Sequence, residues 1–244
     1  MDLCLVGSEM CIRDRYREET SSAFELGFTS TLMDGRMKLN GAVFQTDVDD
    51  MQFFEFFVGP FGLLRVVENI DKANIKGFEL GAEWQISDSM SLMAGYSKID
   101  SEIEKNSIRP YTEGNDVPNA ADFTANAALQ YIGDFNDMEL TARLEYSYQG
   151  DTWYHTVQNN TNPATLFKGF GAGDANWSKT QVDGYGITNL RIGIGTDSWK
   201  VTAFARNLFD EDYIAEVITA AEFGGSFVHP GMVRTAGIEL QYSF

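Results

Sequence analysis

The feature that most constrains the fold is a period of two in side-chain polarity, which recurs along the chain. It is clearest at the C-terminus, where apolar and polar residues alternate from Met232 to Phe244 and only Arg234 interrupts the apolar set. A period of two predicts a β-strand with one apolar and one polar face. Similar alternation occurs near residues 24–32, 78–86, 123–131, 138–149 and 199–206. The chain is therefore predicted to be all-β.

The chemistry of the two faces favours a membrane barrel over a soluble sandwich. The polar faces carry charged residues such as Glu139, Arg143 and Glu145, which need water, and the apolar faces end in aromatic residues. A wet inner face, an apolar outer face and aromatic girdles are typical of an outer-membrane β-barrel. For any single segment, a strand of a soluble sandwich is the alternative. The sequence has no run of about 18 apolar residues that would predict a transmembrane helix.

The spacing of the segments predicts nine antiparallel strands in an up-and-down order. They lie near residues 21–33, 36–56, 63–86, 90–102, 121–132, 138–150, 181–195, 199–216 and 232–244. Short connections at 34–35, 87–89, 133–137 and 196–198 alternate with long ones at 57–63, 102–121, 150–181 and 214–231. Because outer-membrane barrels have short periplasmic turns and longer external loops, the long connections are predicted to lie outside the cell.

Composition excludes several classes of function. The formal net charge of −18, with no basic stripe, argues against a nucleic-acid partner. Cys4 and Cys11 are the only cysteines, so the barrel region has no thiol nucleophile or disulfide. No cofactor and no metal site are predicted. A divalent cation bridged by Asp47, Asp49 and Asp50 is an alternative to a solvated acidic surface, but these residues lack calcium-loop spacing.

Residues 1–15 differ from the rest of the chain. They have no basic start, no apolar core of sufficient length and no small-residue cleavage site, so a signal peptide is not predicted. Their sequence resembles a translated sequencing adapter. We therefore expect the native sequence to begin near Tyr16 and to continue upstream in the intact gene, and we assign residues 16–244 to one barrel unit.

Several motifs resemble the C-terminal part of a TonB-dependent receptor barrel. Residues 203–213, Ala-Phe-Ala-Arg-Asn-Leu-Phe-Asp-Glu-Asp-Tyr, resemble the penultimate-strand pattern of that family. Residues 18–27 resemble its Pro-Glu-x-Ser-x-x-x-Glu-x-Gly strand, without the proline. The other matches are Asn69, Ala73, Gly77 and Glu79 in the family's order, Val117-Pro118-Asn119, and the terminal Tyr242-Ser243-Phe244.

This resemblance implies a receptor in the bacterial outer membrane that takes up a scarce nutrient, by family frequency an iron chelate such as a siderophore. It implies a 22-stranded barrel, of which these nine strands would be the last, and an N-terminal plug domain outside these residues. The implied partners are the nutrient, the TonB complex through that N-terminal part, the barrel-assembly machinery through the C-terminal strand, and membrane lipid with lipopolysaccharide. Because nine strands cannot close such a barrel, an open, curved sheet is expected.

Candidate site residues fall into three groups, of which two are predicted to have functional roles. External loops carry function in many proteins, and their candidate ligand contacts here are Trp153, Tyr154, His155, Phe167, Phe170, Trp177 and His229. Packing of these aromatic residues against neighbouring loops is the alternative, and a metal or haem contact shared by the two histidines is a weaker hypothesis. The predicted lumen-lining residues are Glu79, Glu83, Arg143 and Glu145, as parts of a substrate path, as plug contacts or as salt-bridge partners.

A third group is predicted to be structural, because the alternation breaks after Arg206 in a way that indicates a bulge or tight bend. It comprises Asn207, Leu208, Phe209, Asp210, Tyr213 and the terminal Phe244. A passive porin is the nearest alternative function, and it would need an inward-folded loop with charged rings. A hydrolase at the barrel rim would need a nucleophile beside a base, and only Ser226 lies near a histidine, His229. Enzyme activity is therefore not predicted.

Overall fold

A computed structural model describes residues 16–59, 62–158, 180–220 and 225–243. In chain order its strands are β1 (Thr20–Leu32), β2 (Met37–Gly59), β3 (Gly62–Ser87), β4 (Met90–Lys105), β5 (Phe123–Phe135), β6 (Met138–Gln149), β7 (Thr152–Trp153), β8 (Gln181–Val182), β9 (Tyr185–Gly195), β10 (Trp199–Arg206), β11 (Ile214–Ala220), β12 (Gly225–Pro230) and β13 (Thr235–Tyr242). Nine of them form one antiparallel sheet in the order β1-β2-β3-β4-β5-β6-β9-β10-β13. Since β1 and β13 are its two edges, the prediction of an open nine-stranded sheet is confirmed.

The register separates the two kinds of side chain onto opposite faces. Between β10 and β13, Val201 lies opposite Leu240, whereas the next pair is Thr202 and Glu239. Large side chains of the apolar face are widely exposed, with Ile238 at 73% and Leu240 at 77%. An apolar face of this size needs a non-aqueous neighbour. We call it the outer face, and call the polar face the lumen face.

Aromatic rings border the outer face at both ends of the strands. Near the long loops, Phe78, Tyr96, Phe123 and Tyr148 form a row across β3 to β6, with successive ring centroids 5.7, 6.0 and 5.2 Å apart. At the end with the short turns, the row consists of Trp84, Tyr131, Trp199 and Tyr242. Two such rows mark the levels at which a barrel meets the membrane interfaces.

The four short turns lie together at one end of the sheet. Two of them use residues with positive φ, including Gly35 at 90°, Asn136 at 49° and Asp137 at 61°. Gly, Asn and Asp adopt this backbone conformation at low cost, which lets adjacent strands reverse within two to four residues. The longer connections lie at the opposite end. A 3₁₀ turn at Pro110–Thr112 belongs to the connection between β4 and β5.

One predicted loop is in fact strand. The connection expected at 57–63 is replaced by pairing of β2 with β3 as far as Gly59 and Gly62. These strands have 23 and 26 residues, whereas about ten are enough to cross a bilayer. The β2–β3 hairpin therefore projects well beyond the aromatic row.

Three predicted strand boundaries also need correction. The strand expected at 199–216 leaves the sheet after Arg206, because Asn207 has a φ of 48° that interrupts the pleat. The following residues form β11, which pairs with β12 in a separate hairpin. The strand expected at 181–195 is divided into β8 and β9, and the last strand begins at Thr235 because the residues before it contact the turn after β10.

Within the described ranges, no helix is long and apolar enough to cross a membrane.

The lipid exposure of the outer face can be tested with a pair of lysine substitutions in a receptor that contains this segment. Ile238→Lys places a charge on the outer face near the middle of β13 and should reduce barrel stability by about 2–4 kcal/mol. Gln241→Lys places the same side chain on the lumen face and should have little effect. The yield of folded barrel, measured by its heat-modifiable mobility on gels, compares the two. Equal loss in both variants would contradict the assignment of faces.

Candidate functional site

The external loops fold onto the lumen face of the sheet. Val48, Ala73 and Ile103 lie side by side on that face of β2, β3 and β4. Each is at most 7% exposed, and they form a buried cluster with Phe53 and Val117. Because Val117 belongs to the connection between β4 and β5, that loop covers the lumen side of the strands rather than projecting outward.

Asp50 changes which side chains of β2 face the lumen. Val48 and Phe53 belong to the same cluster, although a regular strand would place residues five positions apart on opposite faces. Between them, Asp50 has a φ of 55°, and its carboxylate lies 2.7 Å from a guanidinium nitrogen of Arg17. The projecting part of β2 is thereby rotated so that Phe53 faces inward.

The acidic residues near Asp50 are engaged within the fold. Asp47 accepts a hydrogen bond of 2.8 Å from Asn74 Nδ2. The described ranges contain no group of three or more His, Cys, Asp or Glu residues that could hold a metal ion. The structure therefore offers no support for the cation bridge considered for Asp47, Asp49 and Asp50.

His155, a candidate ligand contact, is placed inside the loop packing. Its side chain is 6% exposed, and its ring meets that of Phe53 edge-on with 6.0 Å between centroids. Nδ1 accepts a hydrogen bond of 3.0 Å from the backbone N–H of Val157. Burial, together with the nearby charge of Arg109, lowers the pKa of His155 to about 3. The imidazole is therefore neutral at pH 7 and holds the loop in place.

The loop that carries Trp153 to Gln158 is joined to the preceding loop by hydrogen bonds. The Gln158 side chain donates to the backbone carbonyl of Asp116 and accepts from its N–H, at 2.7 and 2.9 Å. The carbonyl of Trp153 accepts a hydrogen bond of 2.7 Å from Asn119 N. These contacts make the two loops one packed layer over the lumen face.

The β11–β12 hairpin extends this layer toward β2. Tyr154 donates a hydrogen bond of 3.2 Å to the carbonyl of Ala215 in β11. The hairpin follows β10, and β10 is six positions from β2 in the sheet order. Residues of the hairpin and of β2 nevertheless border the same groove. That groove is lined by residues 51–54, 118–119, Tyr154 and 216–219. The loops thus reach across the concave side of the sheet and cover part of the external mouth.

Asn207 organises the base of this hairpin. It is 3% exposed, and its Nδ2 donates to the carbonyls of Glu211 at 2.9 Å and Met232 at 3.0 Å. Its Oδ1 accepts a hydrogen bond of 2.9 Å from Glu211 N. We call this set of bonds the Asn207 clasp. It ties together the two chain segments that lead into and out of the β11–β12 hairpin.

The residues that follow Asn207 in this motif contact the lumen face of the sheet and the segment before β13. Tyr213 stacks on Tyr185 with 4.3 Å between ring centroids, and Tyr185 lies opposite Gln149 on the lumen face. The Asp210 carboxylate lies 3.4 Å from the guanidinium of Arg234. The remaining motif residues are Leu208, whose N–H donates to the carbonyl of Thr188, and Phe209, which is 75% exposed.

All four predicted lumen residues lie on the lumen face. The register aligns Glu83 and Glu145 in one transverse row through β4 and β5. Arg143 lies 2.6 Å from a carboxylate oxygen of Glu145 and donates to Gln130 at 2.8 Å. Glu79 borders a separate groove on β1 to β3. The lumen face therefore has an ion pair on β6 and, near the β1 edge of the sheet, a groove bordered by the Glu79 carboxylate.

The second histidine pairs with an acid. His229 Nδ1 lies 2.8 Å from a carboxylate oxygen of Glu216 across the β11–β12 hairpin. Ser226 is three residues from His229 in β12, so the two side chains point to opposite faces about 10 Å apart. They do not form a nucleophile–base pair.

Four of the predicted site residues lie outside the part of the chain that the structure describes, and one groove is bordered by residues that the sequence did not point to. Phe167, Phe170, Trp177 and Phe244 lie outside the described residues. The residues around Tyr185, including Asp183, Glu211 and Asp212, border a groove that sequence reasoning did not single out. The only sequence signal for this groove was the break in alternation after Arg206.

Loss of the Asn207 clasp should loosen the β11–β12 hairpin. In Asn207→Ala the partly buried backbone groups of Glu211 and Met232 lose three hydrogen bonds, which should cost roughly 1–3 kcal/mol. Limited proteolysis between residues 208 and 234 should become faster while the barrel remains folded. Phe209→Ala, at an exposed neighbouring position, is the matched control. An unchanged cleavage rate in Asn207→Ala would contradict the role of the clasp.

Acidification should weaken the packing around His155. The pKa of His155 in the folded protein is about 3, below the ordinary value of 6.5. The neutral imidazole therefore contributes fully to the stability of the loop packing above pH 6.5, and this contribution is lost as the pH falls toward 3. Hydrogen exchange at the Val157 amide should therefore accelerate between pH 7 and pH 4.5, after correction for intrinsic rates. His155→Gln, which keeps an acceptor but does not titrate, should remove this dependence, and a persistent dependence would contradict the assignment.

Comparison with known proteins identifies the family. The sequence matches the family model described as TonB dependent receptor-like, beta-barrel, over residues 14–208. A probable TonB-dependent siderophore receptor PiuA of Acinetobacter baumannii is 30% identical over 88 residues, which make up 36% of this chain and 11% of that protein. The pesticin receptor of Yersinia enterocolitica is 27% identical over 231 residues, which make up 93% of this chain and 29% of the receptor.

Solved structures show the same fold. The ferric yersiniabactin uptake receptor FyuA from Yersinia pestis matches with a TM-score of 0.71 and 22% identity, covering 93% of this chain and 30% of that one. The copper transporter OprC matches with a TM-score of 0.65 and 20% identity, covering 95% of this chain and 33% of OprC. The chain thus spans a third or less of the length of these relatives. It belongs to the TonB-dependent receptor family and forms part of its outer-membrane β-barrel.

Proposed function

We propose that residues 16–244 are the C-terminal barrel part of a receptor that takes up a ferric siderophore across the outer membrane with energy from TonB. The observation that carries this proposal is the family match over residues 14–208. The names of two relatives support the substrate, since one is a probable siderophore receptor and the other a ferric yersiniabactin uptake receptor. In this proposal the inward-folded loops form part of the external ligand site.

The geometry is suited to capturing a ligand at the mouth. Two loops and the β11–β12 hairpin form a hydrogen-bonded layer over the lumen face. Tyr154 lines a groove beside Met51 and Ile218 in this layer, and an aromatic wall of this kind can contact an organic chelate. The relatives found are receptors or transporters, which favours transport over catalysis.

The proposed partners follow from the position of each surface. The outer face between the aromatic rows would contact membrane lipid, and the surface beyond the external row would contact lipopolysaccharide. The free edge of β13 would engage the barrel-assembly machinery and then the first strand of the complete barrel. The TonB complex would act through an N-terminal plug that is not part of residues 16–244.

The proposal is tested by recovering the complete gene and expressing it in a bacterium that lacks its own siderophore receptors. Growth on a ferric siderophore as the only iron source should require both the new receptor and a functional TonB. Growth that is independent of TonB would favour the porin, and a reading frame that opens near Tyr16 behind a signal peptide would contradict the receptor assignment.

Aromatic residues of the covered mouth should affect ligand affinity in that complete receptor. Trp153→Ala removes a half-buried aromatic side chain and should weaken siderophore binding by about tenfold, corresponding to 1.4 kcal/mol. Trp199→Ala, at the aromatic row beside the short turns, is the matched control and should not change the affinity. Intrinsic fluorescence quenching during titration measures both. Unchanged affinity in Trp153→Ala would assign this side chain to loop packing alone.

A further inference from the structure

The described parts of the inward-folded loops carry acidic residues almost without basic ones. Residues 106–122, 150–158, 180–184, 207–220 and 225–234 contain nine Asp or Glu residues and two arginines. Arg109 is 7% exposed within the loop packing, and Arg234 is paired with Asp210. Neither arginine is therefore placed to attract a soluble anion to this part of the mouth.

The same asymmetry is found in the grooves between these loops. Three external grooves are bordered by seven carboxylates, and no Lys or Arg belongs to their described linings; the carboxylates are Asp116, Asp122, Asp151, Asp183, Glu211, Asp212 and Glu216. Burial raises the pKa of Asp116, and the negative charges of Asp100 and Asp122 raise it further. Among the groove carboxylates, Asp116 and Asp122 are thus close enough for their charges to interact.

One of these grooves combines the acidic residues with an aromatic surface. The stacked rings of Tyr185 and Tyr213 border it, and Asp183, Glu211 and Asp212 lie at its rim with exposed side chains. The described atoms provide no hydrogen bond or ion pair to these three carboxylate groups. Unneutralised carboxylates around a concave surface focus a negative potential on a ligand that approaches it.

From this charge distribution we infer that the receptor selects a ferric chelate with no net negative charge, such as a neutral or cationic trihydroxamate, and discriminates against polyanionic tricatecholates. The inference rests on the proposed function, because it concerns the ligand of the same mouth. Like charges between ligand and site raise the cost of binding and slow the encounter, whereas a cation is attracted. Salt screens both effects over a distance of about 10 Å at 0.1 M.

The test uses the complete receptor and three chelates of similar size: a cationic ferric trihydroxamate, a neutral ferric trihydroxamate and an anionic ferric tricatecholate. The cationic or neutral chelate should bind at least about tenfold more tightly than the anionic one at low salt, and the ratio should shrink as salt is added. A tricatecholate that binds most tightly would overturn the inference while leaving the proposed function intact. If none of the chelates, nor any other ferric siderophore, bound, the proposed function would fail and the inference with it.

A triple variant tests whether these carboxylates cause the preference. Asp183→Asn, Glu211→Gln and Asp212→Asn together remove three charges at exposed positions and should leave the fold intact. The preference for the cationic chelate should fall by at least about threefold. The control carries Asp88→Asn, Asp134→Asn and Asp197→Asn, which remove the same charge at the short-turn end and should leave the preference unchanged. An equal response of both variants, or of neither, would overturn the assignment to this groove.

Discussion

The structure depends on the requirement that backbone N–H and C=O groups within a bilayer be paired with one another. Water is not available in the hydrocarbon region, so each strand has to bond to a neighbour along its whole membrane-crossing length. The continuous order of paired strands from β1 to β13 meets this requirement for every internal strand. The outer edges of β1 and β13 do not meet it in this chain alone, and both edges need strands that lie outside residues 16–244.

The position of the loops follows from the same strand geometry. Alternation places Val48, Ala73 and Ile103 on the lumen face above the level of the aromatic row. Apolar side chains on that face cannot contact lipid, so they become buried only if a loop covers them from inside. Val117 provides this cover. Hydrogen bonds join the loop of Trp153 to Gln158 to this covering loop, and the β11–β12 hairpin contacts the loop of Trp153 to Gln158 through Tyr154.

The sequence was informative where one local rule determined the outcome. Alternation predicted the two faces of strands such as β13, and the residues Asp34-Gly35 indicated a short turn. It was uninformative where contacts between distant residues decide. His155 was expected to contact ligand because it lies in a predicted external loop. Its packing on Phe53 depends on the change at Asp50 in which β2 side chains face the lumen, and that change has no periodic signature. The end of β10 was only partly visible in the sequence. The break in alternation after Arg206 indicated a bulge or tight bend, but the strand was still expected to continue to residue 216, whereas Asn207 ends it.

The Asn207 clasp also separates two parts of the protein that obey different rules. On the membrane side of the clasp, every residue of β10 is paired with a residue of β13. Insertion of one residue into either strand would move the side chains beyond it to the opposite face of the sheet. On the external side of the clasp, the chain leaves the sheet near Glu211 and returns near Met232, and the Asn207 side chain joins these two points. Residues inserted or deleted between these points would lengthen or shorten the hairpin without changing the register of the barrel. The joint therefore makes this external hairpin a replaceable module, whose size and chemistry can change while the membrane-embedded part stays the same.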